Sequence, residues 1–272
     1  MNEVFKEKDN SYLNIEKWQE KHPGLVAGFT TRNGGVSEHP YHTLNFGFHV
    51  ADEQKHVIEN RELLANKLNF PLQNWVSGEQ VHRTEIKYVT DRDMSKGSVS
   101  YASSIKGTDG LVTNQKGLLC TAFFADCVPL FFFDPITGYI GIAHAGWKGS
   151  INRIAEKMVE AFIKVDVKAE NLLVAIGPCI SQQNYEVDER VVQSIRETDR
   201  VNVVRSLGKN RFLLDLKQLN VDILLQSGVL RHNIEITNYC TYRDENIFFS
   251  HRRDHGKTGR MLGFIGFSGR IT

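Results

Sequence analysis

CTAFFADCVPLFFFDPITGYIGIAHAGWKGS, residues 120–150, sets polar and metal-capable side chains inside two runs that otherwise read as buried strand. Phe123 and Phe124 precede the Asp126-Cys127 interruption, and residues 130–133 follow it, with Pro129 removing a ladder donor in between. This pattern predicts a strand ending in a bend. Asp134-Pro135 and Thr137-Gly138 mark a turn, residues 139–143 a second apolar strand ended by His144, and Gly146 and Gly149 flank Trp147 at a strand-to-helix junction. Ile151, Ile154, Ala155, Met158 and Phe162 then fall on one face of a continuous helix, opposite Asn152, Arg153, Glu156, Lys157 and Glu160. His144 therefore sits at a strand end just before a helix, where a side chain meets a ligand without disturbing the core, and Cys127 is placed to converge with it.

The chain has 272 residues, 41% of them hydrophobic, which suits one globular domain spanning residues 1–272. Thirty-three Lys and Arg against 32 Asp and Glu leave a net charge of +1, with no basic block to follow a phosphate backbone, so nucleic acid is not an expected partner. The first ten residues carry no apolar signal core, and every apolar run is broken well short of a membrane span. A soluble cytoplasmic protein is expected. Cys120, Cys127, Cys179 and Cys240 are unevenly spaced and form no CxxC pair, so no disulfides are expected.

In chain order, residues 25–31 read as a strand running into an Arg32-Asn33-Gly34-Gly35 turn, followed by a polar stretch with Tyr41, His42, Thr43, Asn45 and His49. Asp52 is placed to cap a helix reaching about Asn69, with Arg61 opposite its apolar stripe. Residues 75–90 alternate as two short strands, on which Gln80 and His82 share a face. His82, Cys127 and His144 together match the three-ligand, one-open-position arrangement of catalytic zinc. Residues 91–106 read as a flexible polar loop, and residues 109–113 as a strand. Strands follow at 171–176, 212–214 and 234–237, with helices near Asp188 and from Asp215 to about Gly228. The last segment, SHRRDHGKTGRMLGFIGF, lacks both the HExxH glutamate and a P-loop glycine. Its cations Arg252, Arg253, Lys257 and Arg260 read as a solvated strand edge.

Set side by side, TRNGGVS (31–37), LNFGFHV (44–50), Asn60-Arg61, GEQVH (78–82), ADCVP (125–129), HAGWKG (144–149), GPCI (177–180) and HRRDHGKTGR (251–260) resemble the YfiH-type, laccase-domain polyphenol oxidase family, in its bacterial single-domain form. The resemblance implies a four-layer α/β/β/α architecture with His82, Cys127 and His144 as the metal site. It also implies purine nucleoside phosphorylase activity on adenosine, inosine and methylthioadenosine, with adenosine deamination beside it. Zinc is the implied cofactor, with copper as its competitor. Motif-matching positions make Arg61, Arg32 and Lys148 candidates for a phosphate cradle, and Asn45 and Gln80 for neutral contacts with the nucleoside.

The residues weigh on the rival chemistries. No HxH pair occurs, unlike the clustered histidines of multicopper oxidases, and nothing supplies an axial Met of the blue-copper kind. The HxE of zinc deaminases is missing, since Gly146 follows His144 by two and Thr84 follows His82 by two. A copper-dependent polyphenol oxidase, a cysteine hydrolase with Cys127 as nucleophile and a histidine as base, and a binding module with a structural metal remain as alternatives.

Overall fold

In the computed structural model, which describes residues 3–269, the bend in the opening stretch is where the chain changes sheets. The strands in chain order are β1 (Phe5–Asp9), β2 (Tyr12–Ile15), β3 (Leu25–Thr30), β4 (Trp75–Ser77), β5 (Ile86–Tyr88), β6 (Gly110–Thr113), β7 (Leu119–Phe124), β8 (Val128–Phe133), β9 (Ile140–Ala145), β10 (Leu173–Ile176), β11 (Glu186–Asp188), β12 (Val204–Gly208), β13 (Arg211–Leu214), β14 (Ile234–Ile236) and β15 (Met261–Phe267). One six-stranded sheet runs β1-β2-β3-β15-β7-β4, and a second runs β14-β10-β8-β9-β6-β5. β11, β13 and β12 form a small third sheet.

The near-unbroken apolar run of β8 follows from burial on both faces. Because side chains alternate along a strand, Phe131 and Phe133 point between the two large sheets, where they meet Phe5, Phe29, Phe124 and Ile265. Leu130 and Phe132 point the other way, onto Ile154, Met158 and Phe162 of the Ile154–Ile163 helix and Leu219 and Ile223 of the Leu216–Gln226 helix. Each such fully buried side chain contributes on the order of 2–3 kcal/mol of transfer free energy. On the first sheet's outer face, Phe123, Leu262 and Phe264 pack on Leu64, Ala65 and Leu68 of the Gln54–Leu68 helix. The result is a single α/β domain in four layers, helix, sheet, sheet and helices.

Several local expectations change. The helix expected from Ile151 through Phe162 is split into Trp147–Ile151 and Ile154–Ile163, because Arg153 takes a left-handed conformation (φ 64°) and turns its buried guanidinium to Asp199, 3.1 Å away. Asp52 does not cap the Gln54–Leu68 helix; Glu53 holds that position, and the Asp52 carboxylate is drawn instead to Ser37 at 2.6 Å and Asn45 at 2.8 Å. β4 and β5 belong to different sheets. Between them Gln80 (φ 57°) and His82 (φ 60°) are both left-handed, so they share a loop and not the face of a strand. Residues 91–106 are folded, with 3₁₀ turns at Asp91–Asp93 and Tyr101–Ser103, the first closed by a reciprocal Thr90–Asp93 cap. Asp188 and Asp215 cap the helices expected near them, accepting from the Val191 and Gln218 N–H groups. All four cysteines are free thiols. Among the described residues, no helix is long and apolar enough to cross a membrane.

Candidate active site

Strand direction brings three sheet-to-sheet crossings to one end of the sandwich. β4 runs parallel to β7 and β7 antiparallel to β15, so the exits of β4 and β7 and the entry to β15 lie together. The first crossing carries His82, the second Cys127, and the third, before β15, the segment from His251 to Arg260. In the second sheet Val128 pairs with Ala145 and Pro129 with His144, which brings His144 to the same end as Cys127.

The ligand-type atoms of His82, Cys127 and His144 all lie within 4.8 Å of one another, the one such group of His, Cys, Asp or Glu side chains among the described residues. The two imidazoles meet edge to face, with centroids 4.7 Å apart. Zinc bonds of about 2.0–2.3 Å in a tetrahedron space ligand atoms by roughly 3.5 Å, so small side-chain movements close the trio on an ion. The donor set, one thiolate and two imidazoles, suits zinc and also accommodates copper. Gly146 makes the approach feasible, since a Cβ there would stand 2.7 Å from His82 Cδ2 and 3.1 Å from Cys127 Sγ.

Asp109 holds both histidines. Its Oδ1 accepts from the His82 N–H at 3.0 Å and faces His144 Nδ1 at 2.9 Å, while Oδ2 accepts from the Val81 N–H at 3.1 Å and the Arg83 N–H at 2.9 Å. Its own carbonyl accepts the His144 N–H at 2.8 Å. One carboxylate thus shapes the left-handed turn that presents His82 and takes the His144 Nδ1–H, leaving Nε2 to face Cys127, the outer-shell arrangement that suits a metal-binding histidine. Burial pushes the Asp109 carboxyl up, but His144 and the backbone N–H groups outweigh it and hold it ionised. Burial likewise pushes the Cys127 thiol up, and the charge and hydrogen bonds of His144 and His82 override it, bringing Cys127 down to about 6. Burial would lower His144, yet Cys127 and Asp109 raise it to about 9. Thiolate and imidazolium thus stabilise each other when no ion takes the proton's place.

The trio opens on a cavity of about 400 Å³, walled in part by His49, Gln80, Phe123, Trp147, Tyr185, Arg252 and Arg260. Gln80 borders it while pinned to the Phe123 backbone, its amide donating to the carbonyl and accepting from the N–H, both at 2.8 Å. His49 is pushed down to about 4 by desolvation and by the nearby Arg260 charge, so it is a neutral imidazole near pH 7. Asp126, left-handed at φ 82°, turns the corner into Cys127; its carboxylate is fully engaged by Thr241, Ser250 and the Arg252 N–H.

The expected phosphate cradle is not gathered here. Arg61 is 1% exposed and lies off the cavity wall, between the Phe48 and Phe123 rings, donating to the carbonyls of Phe46, Gly97 and Ser98. Arg32 donates to the carbonyls of His42 and Glu245, and Lys148 is exposed beside Trp147; neither lines the cavity. Asn45 is buried, with Oδ1 accepting from the Gly47 and Arg260 N–H groups, and supports the wall from behind. In their place the cavity carries Arg252 and Arg260, which reading from sequence left on a solvated edge. β15 is an interior strand, and the segment before it folds over the site. Asp109 was also missed, because a lone carboxylate at a strand start carries no diagnostic spacing.

Fold and site define a class: a four-layer α/β/β/α domain with one His/Cys/His centre at the end of its sheets. The family model described as multi-copper polyphenol oxidoreductase laccase matches residues 26–268, and the chain belongs to this family. It is 42% identical over 262 residues to the purine nucleoside phosphorylase YlmD of Bacillus subtilis, covering 94% of each chain. To the Geobacillus stearothermophilus protein of that name it is 44% identical over 247 residues, covering 89% of this chain and 90% of the other. The crystal structure of the Bacillus licheniformis hypothetical protein YfiH superimposes with a TM-score of 0.93 at 41% identity, covering 97% and 99% of the two chains.

Proposed function

We propose that this chain is a soluble, cytoplasmic purine nucleoside phosphorylase. A phosphate oxygen bonds to ribose C1′ as the bond from C1′ to the purine nitrogen breaks; its electron pair leaves with the base, which takes up a proton. The products are the free purine and ribose 1-phosphate, or 5-methylthioribose 1-phosphate when the nucleoside is methylthioadenosine. Adenosine, inosine and methylthioadenosine are the proposed nucleosides, and hydrolytic deamination of adenosine is a second reaction of the same cavity. The observation that carries the reading is the cavity itself, in which the His82, Cys127 and His144 trio shares a wall with two arginines and several aromatic rings. The names of the relatives point the same way.

His82, Cys127 and His144 would hold one zinc ion, with copper as the competing metal; bound there, zinc supplies Lewis acidity and an open coordination position. The chain's own residues do the remaining work. Asp109 keeps His144 in one tautomer and His82 in one loop conformation, so both nitrogens stay aimed at one point. Gln80, locked on the Phe123 backbone, holds the wall that carries that ring. The rings of Trp147, Tyr185 and Phe123 exclude water and offer faces to a purine.

The test is phosphate dependence. With inosine, product should form only when inorganic phosphate is added, as hypoxanthine and ribose 1-phosphate, and Cys127→Ala should lose both turnover and stoichiometric zinc. Free ribose released at the same rate without phosphate would make the enzyme a hydrolase. Oxygen uptake with phenols exceeding nucleoside turnover would restore the oxidase.

A further inference from the structure

We infer that Arg252 and Arg260 form the oxyanion subsite of this cavity and clamp inorganic phosphate through the free edges of their guanidinium groups. The identity of the anion rests on the phosphorylase reading; the subsite rests on geometry. Arg260 donates through Nη1 to the carbonyls of Thr258 and Gly259, at 2.8 and 3.0 Å. Arg252 donates through Nη1 to the carbonyl of Glu186 at 2.8 Å, and its guanidinium carbon stands 4.9 Å from the Tyr185 ring centroid. In both residues Nε and Nη2 have no protein acceptor among the described residues, and neither guanidinium has a carboxylate within salt-bridge distance there. Such an edge presents two parallel N–H groups, which match two oxygens of a phosphate.

The surroundings keep that charge available. The carboxylates that line the cavity are already engaged, Asp126 by Thr241, Ser250 and the Arg252 N–H, and Glu79 by Lys106 and the Gly107 N–H. Arg260 is also built into place. The buried Asn45 accepts its N–H at 2.9 Å, and Gly47 leaves room for its stem, since a Cβ there would lie 2.7 Å from Arg260 Cγ. Arg260 lines the same cavity as His82, Cys127 and His144, which places the anion beside the His/Cys/His centre. The other cationic candidates are spent on backbone carbonyls or face solvent, as described for Arg61, Arg32 and Lys148.

The experiment titrates inorganic phosphate into metal-replete protein without nucleoside, followed by calorimetry, and separately measures the phosphate and inosine KM values. Wild type is compared with Arg252→Gln, Arg260→Lys and Gly47→Ala, the last keeping both charges while crowding the Arg260 stem. Each variant should raise the phosphate dissociation constant by about tenfold or more, the scale of a lost charge-assisted bond, with the inosine KM changed less than about threefold. Unchanged phosphate affinity in folded variants would overturn the assignment, as would tight binding of inosine monophosphate with none of phosphate. Arginine-dependent phosphate binding without phosphorolysis would uphold the subsite and sink the phosphorylase reading instead.

Discussion

Replacing Arg61 with lysine separates a structural arginine from a phosphate ligand. The guanidinium spans two groups of acceptors, the Phe46 carbonyl from Nε and Nη2 on one side and the Gly97 and Ser98 carbonyls, at 2.6 and 2.9 Å, from Nη1 on the other. An ammonium is a single point and reaches one side only. One or two charge-assisted bonds are lost, about 1.5–3 kcal/mol each, and a more strongly hydrated cation is left in a site whose burial already pushes Arg61 down to about 9. The planar stack between Phe48 and Phe123, 4.0 and 4.6 Å from the guanidinium carbon, is lost as well. The sum is about 3 kcal/mol, or roughly 6–12 °C in the thermal midpoint of a chain this size. Melting curves and initial rates against phosphate check it together. The midpoint should fall by that amount, while the phosphate KM at a temperature where the variant stays folded moves less than about twofold. A variant as stable as wild type with a tenfold higher phosphate KM would refute the reasoning and return Arg61 to the cradle.

Three further outcomes follow from the site. Asp109→Asn places an amide against three backbone N–H groups and His144, so zinc affinity measured by chelator competition should fall by about 10–100-fold although no ligand is removed; wild-type affinity would show that neither histidine needs the carboxylate. Gly146→Ala drives a methyl to 2.7 Å from His82 Cδ2 and should weaken zinc by about tenfold or more through ligand misplacement, with unchanged metal content under chelator showing that the ring has room to move. In metal-stripped protein, a thiol lowered to about 6 is thiolate above that pH, so alkylation of Cys127 should rise with pH and level off near neutrality; a half-point near the ordinary thiol value would show that the histidines do not charge it.

Cys127 and His144 were legible because each sits where an apolar strand pattern stops, and chemistry-bearing side chains at strand ends stand out against a β-run; His82, read on a strand, stands instead on the left-handed loop between β4 and β5. Asp215 was legible as a cap because it directly precedes an apolar helical pattern. Arg61 was misplaced because a helical arginine opposite an apolar stripe reads as free, and nothing local says that the carbonyls of residues 46, 97 and 98 converge on it. Asp109 and the two cavity arginines depend on which segments share an end of the sheets. That is a property of strand order, and strand order has no spacing in the sequence.

Strand order also accounts for the polar loops that carried no readable signal of their own. Gly263 of β15 pairs with Phe29 of β3 and with Ala122 of β7, so the exit of β3 reaches the end where β4 and β7 leave the first sheet. The loop after β3 brings Asn45, Gly47 and His49 there, the one after β4 brings His82, the corner after β7 brings Cys127, and the approach to β15 brings Arg252 and Arg260. β9 adds His144 from the second sheet, and the segment entering β6 adds Asp109. Each sheet face is already covered by a helical layer or by the other sheet, so the open end is where polar side chains gather without cost to the core. The division of labour follows burial. The buried groups, Arg61, Asn45 and Asp109, spend their hydrogen bonds within the protein and hold loops in shape, whereas the more exposed His82, Cys127, Arg252 and Arg260 line the cavity.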